Sequence, residues 1–527
     1  MHLGAPLGRA LGAAIIVTAL GIGGCRTSSD DVHRWANTAQ GPRKLLAVLM
    51  HDKYPLELRV EAALSLISMK PRAGRRVGIQ GTDDMPGLVD ALGQLPPTSR
   101  NAIIGRLVPR LLEEMKRPLP AAQAGQPAPT DPSVPYKDAA FALLTHNSGS
   151  LLADPAQVTA LREALASWSS TNFAERLDDS SQLYGLEQMM RELKADGVRS
   201  LPSLIAPGAG KIDQLAGLIA DFGDPQTKLL ASQKLVAVAK EVNSENWIKQ
   251  KAPSVEAANR ASKLNPTPDQ FRKQLVQYQE EELLRVFASM KKVGGKPVVD
   301  YLLAFTQDKN ESEKRRATAM AALQGNLDPK NPAHAEVPLQ LAAANDTPDQ
   351  LRDVAFARVG EFPRQMILGK LYSLFKSDNW KVRWVAAELI LKTSETSELP
   401  EFFSKLGQAD GFAITEPLRY GALIANMKGS PPPVEIVDKY ATTGHPVQVR
   451  MSALGYYFET GTKADLGKIE RYENDKTKAP TCKESAKECE WKCEVTSGDK
   501  RDTKEITTLG DFVTYCIKPA MEARAKK

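Results

Sequence analysis

A chain of 527 residues with 42% hydrophobic but only 6% aromatic side chains could hold two to four ordinary domains, or one assembly that grows by repetition without a single large core. Sparse aromatics and frequent Ala-rich segments suit thinly packed helical layers better than a sheet sandwich. The 69 Lys and Arg against 63 Asp and Glu leave a net charge of +6 with no polybasic block, which argues against nucleic acid as a partner.

The N-terminus comes first. Met1 to Arg9 carries one Arg and no acid, Leu11 to Ile22 is a short apolar run, and Gly23-Gly24-Cys25 follows at once. The run is too short to cross about 30 Å of hydrocarbon and reads as a secretory signal. Ile22-Gly23-Gly24-Cys25 resembles the lipobox of bacterial lipoproteins. That resemblance implies removal of residues 1–24, lipidation of the Cys25 thiol and tethering to a membrane by acyl chains. An ordinary signal peptide that contains a Cys is the alternative. Arg26 stands where an Asp would favour inner-membrane retention, so the resemblance implies the outer membrane, facing the periplasm. Residues 25–40 read as the lipidated Cys and a tether.

From Val32 onward the apolar spacing is helical almost throughout. Leu45 to Met50 and Leu56 to Ile67 read as a first helical pair, with further helices at Leu88 to Leu92 and Asn101 to Met115. Six prolines in residues 118–135 prevent continuous helix there. Lys137 to Leu144 then resumes the same helix type, so the stretch reads as an insertion within a block spanning 41–295. Asp154-Pro155 opens a helix towards Trp168 as N-cap and first-turn proline. Another helix is expected from Gln182 to Ala195, with Gly197 as its stop. Asp224-Pro225 starts one through Val236, and Thr267-Pro268 starts a long one towards Lys291. Residues 242–293 look least repetitive and read as a seam before a second block, 296–475.

The stretch Asp378 to Leu391 states the building unit best. Val382, Val385, Ala386, Leu389 and Ile390 fall on one helical stripe, with Asp378-Asn379 as N-cap. Arg-x-x-Ala recurs at Arg316, Arg352, Arg383, Arg419 and Arg450, at intervals of 36, 31, 36 and 31 residues. Bare matches of that kind arise by chance, but Asp308, Asp346-Thr347-Pro348, Asp378 and Gly444-His445-Pro446 add turn and cap residues before matching helices. Second helices at Arg364 to Lys376, Leu399 to Leu406 and Glu435 to Tyr440 complete two-helix units. The pattern resembles HEAT/armadillo-type repeats, in the manner of bacterial HEAT-repeat lipoproteins, and implies an all-α fold: an α-solenoid of stacked helical hairpins. The period is shorter than the HEAT length of about 40–47 residues and nearer the tetratricopeptide length of about 34. A tetratricopeptide-like solenoid is therefore the alternative, although its Trp-Leu-Gly-Tyr positions are not legible.

Residues 476–527 change character, holding Cys482, Cys489, Cys493 and Cys516. An even set in one exported segment predicts two disulfides; a four-thiolate zinc site is the alternative, without the usual C-x2-C knuckles. If Thr481 to Cys489 is one helix, Cys482 and Cys489 stand about 10 Å apart, too far to bridge, and the other two connectivities are equal. A small hairpin over Trp491 to Thr507, then a helix from Leu509 interrupted at Pro519, would form a disulfide-stapled cap on the last repeat.

No metal-ligating spacing links the six histidines, and no cofactor is predicted. Pro207-Gly208-Ala209-Gly210-Lys211-Ile212 fails as a phosphate loop because positions 205 and 212 are Ile, and Glu280-Glu281-Glu282 reads as a solvated helix face. Trp380, Arg383 and Trp384 on one helix, with Tyr456 and Tyr457 two units later, are the candidate binding residues. Their alternative role is packing between hairpins. The expected function is non-catalytic: a scaffold or adaptor for another envelope protein. The rivals are a glycan- or peptidoglycan-binding protein, judged by exposed aromatics, and a lyase-type enzyme, as in HEAT-like proteins that resemble bilin lyases, judged by a pocket with convergent titratable groups.

Overall fold

The computed structural model describes residues 27–72, 74–121, 129–146, 151–409, 412–480, 490–497 and 500–525. The protein is mostly helical and separates into two compact units, Met1–Ser200 and Leu201–Lys527. Cys25, Cys482 and Cys489 lie outside the described residues.

In the first unit the helix Leu56–Ser68 is the hub. It packs against the helices Ser29–Trp35, Gly41–Met50, Pro97–Glu114 and Val134–Thr145, and its run Val60, Ala62, Ala63, Leu66 and Ile67 is buried. Small alanines on that face let several helices reach it at once. Two residues each at Gly81–Thr82 and Met85–Pro86 pair antiparallel. A Cβ on Gly81, at φ +74°, would meet the Met85 carbonyl oxygen at 2.3 Å, so only glycine fits this turn. Two expectations are corrected here. Residues 25–40 are not all tether, because Ser29–Trp35 is a helix capped by Ser28 with Val32 buried. The expected Gln182 to Ala195 helix is Leu186–Leu193, and it ends at Lys194, at φ +52°, rather than at Gly197.

In the second unit alternate helices touch. Pro225–Val242 packs on Pro268–Val293, that helix on Glu313–Ala322, and that in turn on Asp349–Val359. Further on, Trp380–Thr393 packs on Thr415–Ala425, and that on Val447–Thr460. Lys296–Gln307, Pro332–Ala343 and Arg364–Ser373 make a second series of neighbours. The helix Pro268–Val293 contacts both its predecessor and its successor in this series, so the seam expected near 295 does not exist and the division falls at Ser200/Leu201. The last two helices of the first series approach at backbone distance. A Cβ on Gly421 would sit 2.1 Å from the Gly455 carbonyl oxygen, and one on Gly455 2.1 Å from that of Pro417.

The C-terminal segment forms the expected hairpin, Lys492–Ser497 with Lys500–Glu505, in register from Lys492↔Glu505 to Ser497↔Lys500. Leu509, Phe512, Val513, Ile517 and Met521 are buried, and their elements pack on the helix Val447–Thr460. Arg524 donates to the carbonyls of Tyr457 (2.8 Å), Phe458 (2.5 Å) and Gly461 (3.1 Å), bonding the last helix to the C-terminal end of Val447–Thr460. The helix from Leu509 widens into a π turn at Val513–Ile517, just before Pro519, whose nitrogen has no hydrogen to donate back along the helix. Cys493 is disulfide-bonded to Cys516, Cα to Cα 5.6 Å, tying the hairpin to the π turn. This bond belongs to the connectivity that the helical reading of Thr481 to Cys489 had set aside. Peptide mapping of the non-reduced protein is expected to recover Cys493 joined to Cys516, and a Cys493 peptide joined to Cys482 or Cys489 would refute the bond.

Candidate functional site

The five candidate binding residues do not make one exposed strip. Trp380, Arg383 and Tyr457 are buried, while Trp384 and Tyr456 are half-buried. Arg383 donates in two parallel bonds to Glu416, Nε to Oε1 at 3.0 Å and Nη2 to Oε2 at 2.8 Å. Its third nitrogen donates to the carbonyls of Ser377 and Asp378 at 2.6 and 3.0 Å. Glu416 also accepts from the Ala413 amide at 2.8 Å and the Tyr420 hydroxyl at 3.1 Å. Burial pushes the Glu416 carboxyl up, against the opposing pull of Arg383, and burial together with Glu416 holds the Tyr420 hydroxyl well above its ordinary range. The Arg419 guanidinium, exposed on the next helix of the series, sits 5.2 Å from the Trp380 ring centre and 5.1 Å from that of Trp384. Trp384 stacks at 6.0 Å on Tyr420. Tyr457 donates its hydroxyl to Asp438, and burial raises its pKa ahead of the carboxylate's effect. These aromatics hold neighbouring helices together.

The recurring arginine has the same explanation. Arg59 donates to the Leu49 carbonyl at 2.9 Å, Arg316 to Thr306 at 2.8 Å, Arg352 to Ala344 at 3.1 Å and Arg450 to Ala441 at 3.1 Å. In each case the acceptor closes the preceding helix, whose last carbonyls lack partners and carry the negative end of the dipole. A buried guanidinium near the start of one helix thus caps the helix before it. Arg419 departs from the series: it is exposed, and the buried charge of its helix is Glu416.

A second polar cluster, unmarked in the sequence, lies inside the first unit. Lys137 and Asp138 are both fully buried, on the helix Val134–Thr145. Lys137 Nζ reaches Asp138 at 2.7 Å, Gln182 at 3.0 Å and the Tyr184 carbonyl at 2.5 Å. Asp138 further pairs with Arg76 at 3.2 Å and accepts from the amides of Leu183 and Tyr184 at 2.9 and 3.2 Å. Arg176, also buried, pairs with Asp131 at 3.0 Å and lies 4.1 Å from the Trp168 ring centre, with Lys137 at 5.0 Å from the same ring. Burial lowers the pKa of Lys137, with Asp138 opposing. Enclosed and bonded through both charges, this cluster locks residues 182–184 onto the helix.

The loop 207–211 is bound in a way that excludes an anion. Gly208 donates its amide to the Glu282 carboxylate at 2.6 Å, and Arg285 donates to the Ala209 carbonyl at 3.1 Å. Glu282 is thus buried and engaged, which corrects its reading as part of a solvated face; Glu281 is exposed.

The exposed large apolar side chains among the described residues are Leu229, Leu230, Leu264, Val276 and Tyr278. Three of them belong to the hairpin made by Glu245–Ala261 and Pro268–Val293. The base of this hairpin is fixed: buried Gln279 donates to the Val242 carbonyl at 2.8 Å and accepts from Arg315 at 3.0 Å. Towards the tip, Asn259 donates to Gln274 at 2.9 Å, and no residue from Arg260 to Gln274 is buried. Val255, Asn259, Leu264, Gln274, Gln277 and Tyr278 line a groove of about 340 Å³ between the helices. A second depression of about 460 Å³ continues it past Leu264 and Lys273. Residues 256–273 carry four cations (Arg260, Lys263, Arg272, Lys273) and two anions (Glu256, Asp269). Val276 and Tyr278 went unnoticed in the sequence because single apolar residues in a long amphipathic helix read as core, and Leu264 because it is a lone apolar residue in the connecting loop. The available signal was the departure of residues 242–293 from the repeat.

Compared with protein-family models and with curated proteins, the chain matches none.

Proposed function

We propose that this chain is a lipid-anchored α-solenoid of HEAT-like hairpins in the bacterial cell envelope, acting as a scaffold that docks another envelope protein. The observation that carries the reading is the hairpin Glu245–Val293, where Leu264 at the tip and Val276 and Tyr278 along the second helix stay in water, while neighbouring Gln279 is tightly bonded. Leaving Leu264 and Tyr278 half exposed forgoes about 1 kcal/mol each of burial, which a partner surface would recover. The amide-lined groove, with Lys273 towards its tip end and Glu281 at its other end, suits an amphipathic helix that lays an apolar stripe on Leu264 and Tyr278 and sets an acidic residue near Lys273.

Photo-reactive residues at Leu264 and Tyr278 in the intact lipoprotein are expected to capture the same envelope protein in vivo. Leu264→Asp together with Lys273→Glu is expected to abolish that capture at Tyr278 with an unchanged melting temperature. Capture of different proteins at the two positions, or capture indifferent to both substitutions, would defeat the reading. A glycan-binding role is favoured by one observation, the half-exposed Trp384 ring beside Arg419; glycan adducts confined to Trp384 would shift the assignment.

A further inference from the structure

We propose that the end of the first unit formed by Thr27, Ser29 and the loop Lys53–Pro55 is a membrane-contact face, held against the phospholipid headgroups of the bilayer that carries Cys25. The inference rests on the lipid-anchor reading and adds a fixed orientation to it.

The first argument is length. Ser28 caps the helix Ser29–Trp35: its hydroxyl accepts from the Asp31 amide at 3.3 Å, and the Asp31 carboxylate accepts from the Ser28 amide at 3.0 Å. Val32 of that helix is buried against the body of the unit, on the helix Leu56–Ser68. Three residue steps separate Cys25 from Ser28, which span at most about 11 Å when extended. A tether running to residue 40 would have reached about 50 Å. An acylated Cys25 therefore leaves the folded unit no room to stand off from the headgroup region, which is itself several ångströms deep on each side of the hydrocarbon.

The second argument is what stands at that spot. Thr27, Ser29, Lys53, Tyr54, Pro55, Glu57, Leu58 and Glu61 line an open groove of about 690 Å³. Lys53 Nζ sits 5.0 Å over the Tyr54 ring, and the flanking Pro55 is exposed. An aromatic ring with a polar tip and a lysine beside it are the side chains that favour the membrane interface. The groove's own carboxylates lie beside cations, while exposed Asp30 and Asp52 flank the face, so the ring and the lysine rather than net charge carry the contact. Glu61 is paired with His33 at 3.3 Å and with Arg110 at 3.4 Å, and Glu57 lies 3.8 Å from Arg106.

The test uses the full lipoprotein reconstituted into vesicles of phosphatidylethanolamine and phosphatidylglycerol, with a photo-reactive residue at Tyr54 or, as control, at exposed Ser167. Phospholipid adducts at Tyr54 and not at Ser167 are expected. A twelve-residue Gly/Ser insertion between Arg26 and Thr27 should reduce the Tyr54 adduct about tenfold by lowering the effective concentration of the face at the bilayer. Intact mass separates the two ways of failing. A protein acylated on Cys25 that gives no Tyr54 adduct, or gives it undiminished after the insertion, overturns the contact face alone. A protein with no acyl mass on Cys25 overturns the anchor reading and the face with it.

Discussion

Asp138→Ala is expected to destabilise the first unit by about 3–5 kcal/mol, the usual cost of removing one partner from a buried ion pair. Asp138 is fully buried, and it is the only carboxylate within ion-pair distance of Lys137 among the described residues. Its loss strands the Lys137 ammonium and the Arg76 guanidinium in an interior that cannot solvate them, and frees the amides of Leu183 and Tyr184. Lys137→Met is the informative comparison. It removes the buried cation, leaves Asp138 bonded to Arg76 and two amides, and is expected to cost far less. Urea unfolding followed by circular dichroism measures both; equal losses would mean that packing dominates over the ion pair. Because burial lowers the Lys137 pKa in the folded chain below its ordinary 10.5, the folded protein releases this proton first. Its contribution to stability therefore rises with pH between the lowered pKa and about 10.5. The groups facing Lys137 are Asp138, Gln182 and Tyr184, with Arg76 beyond Asp138. The Tyr184 hydroxyl, raised by burial, acts in the opposite sense, but it is present in both proteins, so the wild type should gain on Lys137→Met as pH climbs through that window.

Arg383→Ala is expected to be the most damaging single change in the helix Trp380–Thr393, again by about 3–5 kcal/mol. It leaves the Glu416 carboxylate buried with only the Ala413 amide and the Tyr420 hydroxyl, and uncovers the carbonyls of Ser377 and Asp378. Arg419→Ala, which removes an exposed cation resting on Trp380 and Trp384, is expected to cost about 0.5–1 kcal/mol. Replacing Arg383 and Glu416 together by Met and Leu should recover most of the loss, since a buried pair exchanged for apolar side chains of similar size is often neutral. Thermal melts of the four proteins decide it. A mild Arg383→Ala would show that water reaches Glu416, and would return this arginine to the list of accessible groups.

Several helix starts were legible before any fold was known, because an N-cap is a bond between residues two or three apart, whereas the stop expected at Gly197 was not. Asp154, Asp224, Thr267 and Asn379 accept from the amides of Ala156, Thr227, Gln270 and Lys381, as residue type and position implied. The cap hairpin after Trp491 and the break at Pro519 were readable for the same local reason. Partnership across tens of residues was not. Arg383 and Arg419 look alike in the chain, yet one is buried on Glu416 and the other exposed on two tryptophans. Lys137 and Asp138 read only as the start of a resumed helix; that residues 182–184 close over them is a fact of the fold. The Cys493–Cys516 pairing likewise follows from the meeting of a hairpin and a π turn. The sequence by itself determined the helical class and several helix starts, since these depend on neighbours along the chain. Only the tertiary structure decided which charges are internal, where the units divide and which apolar side chains remain in water, because burial depends on what folds against each face.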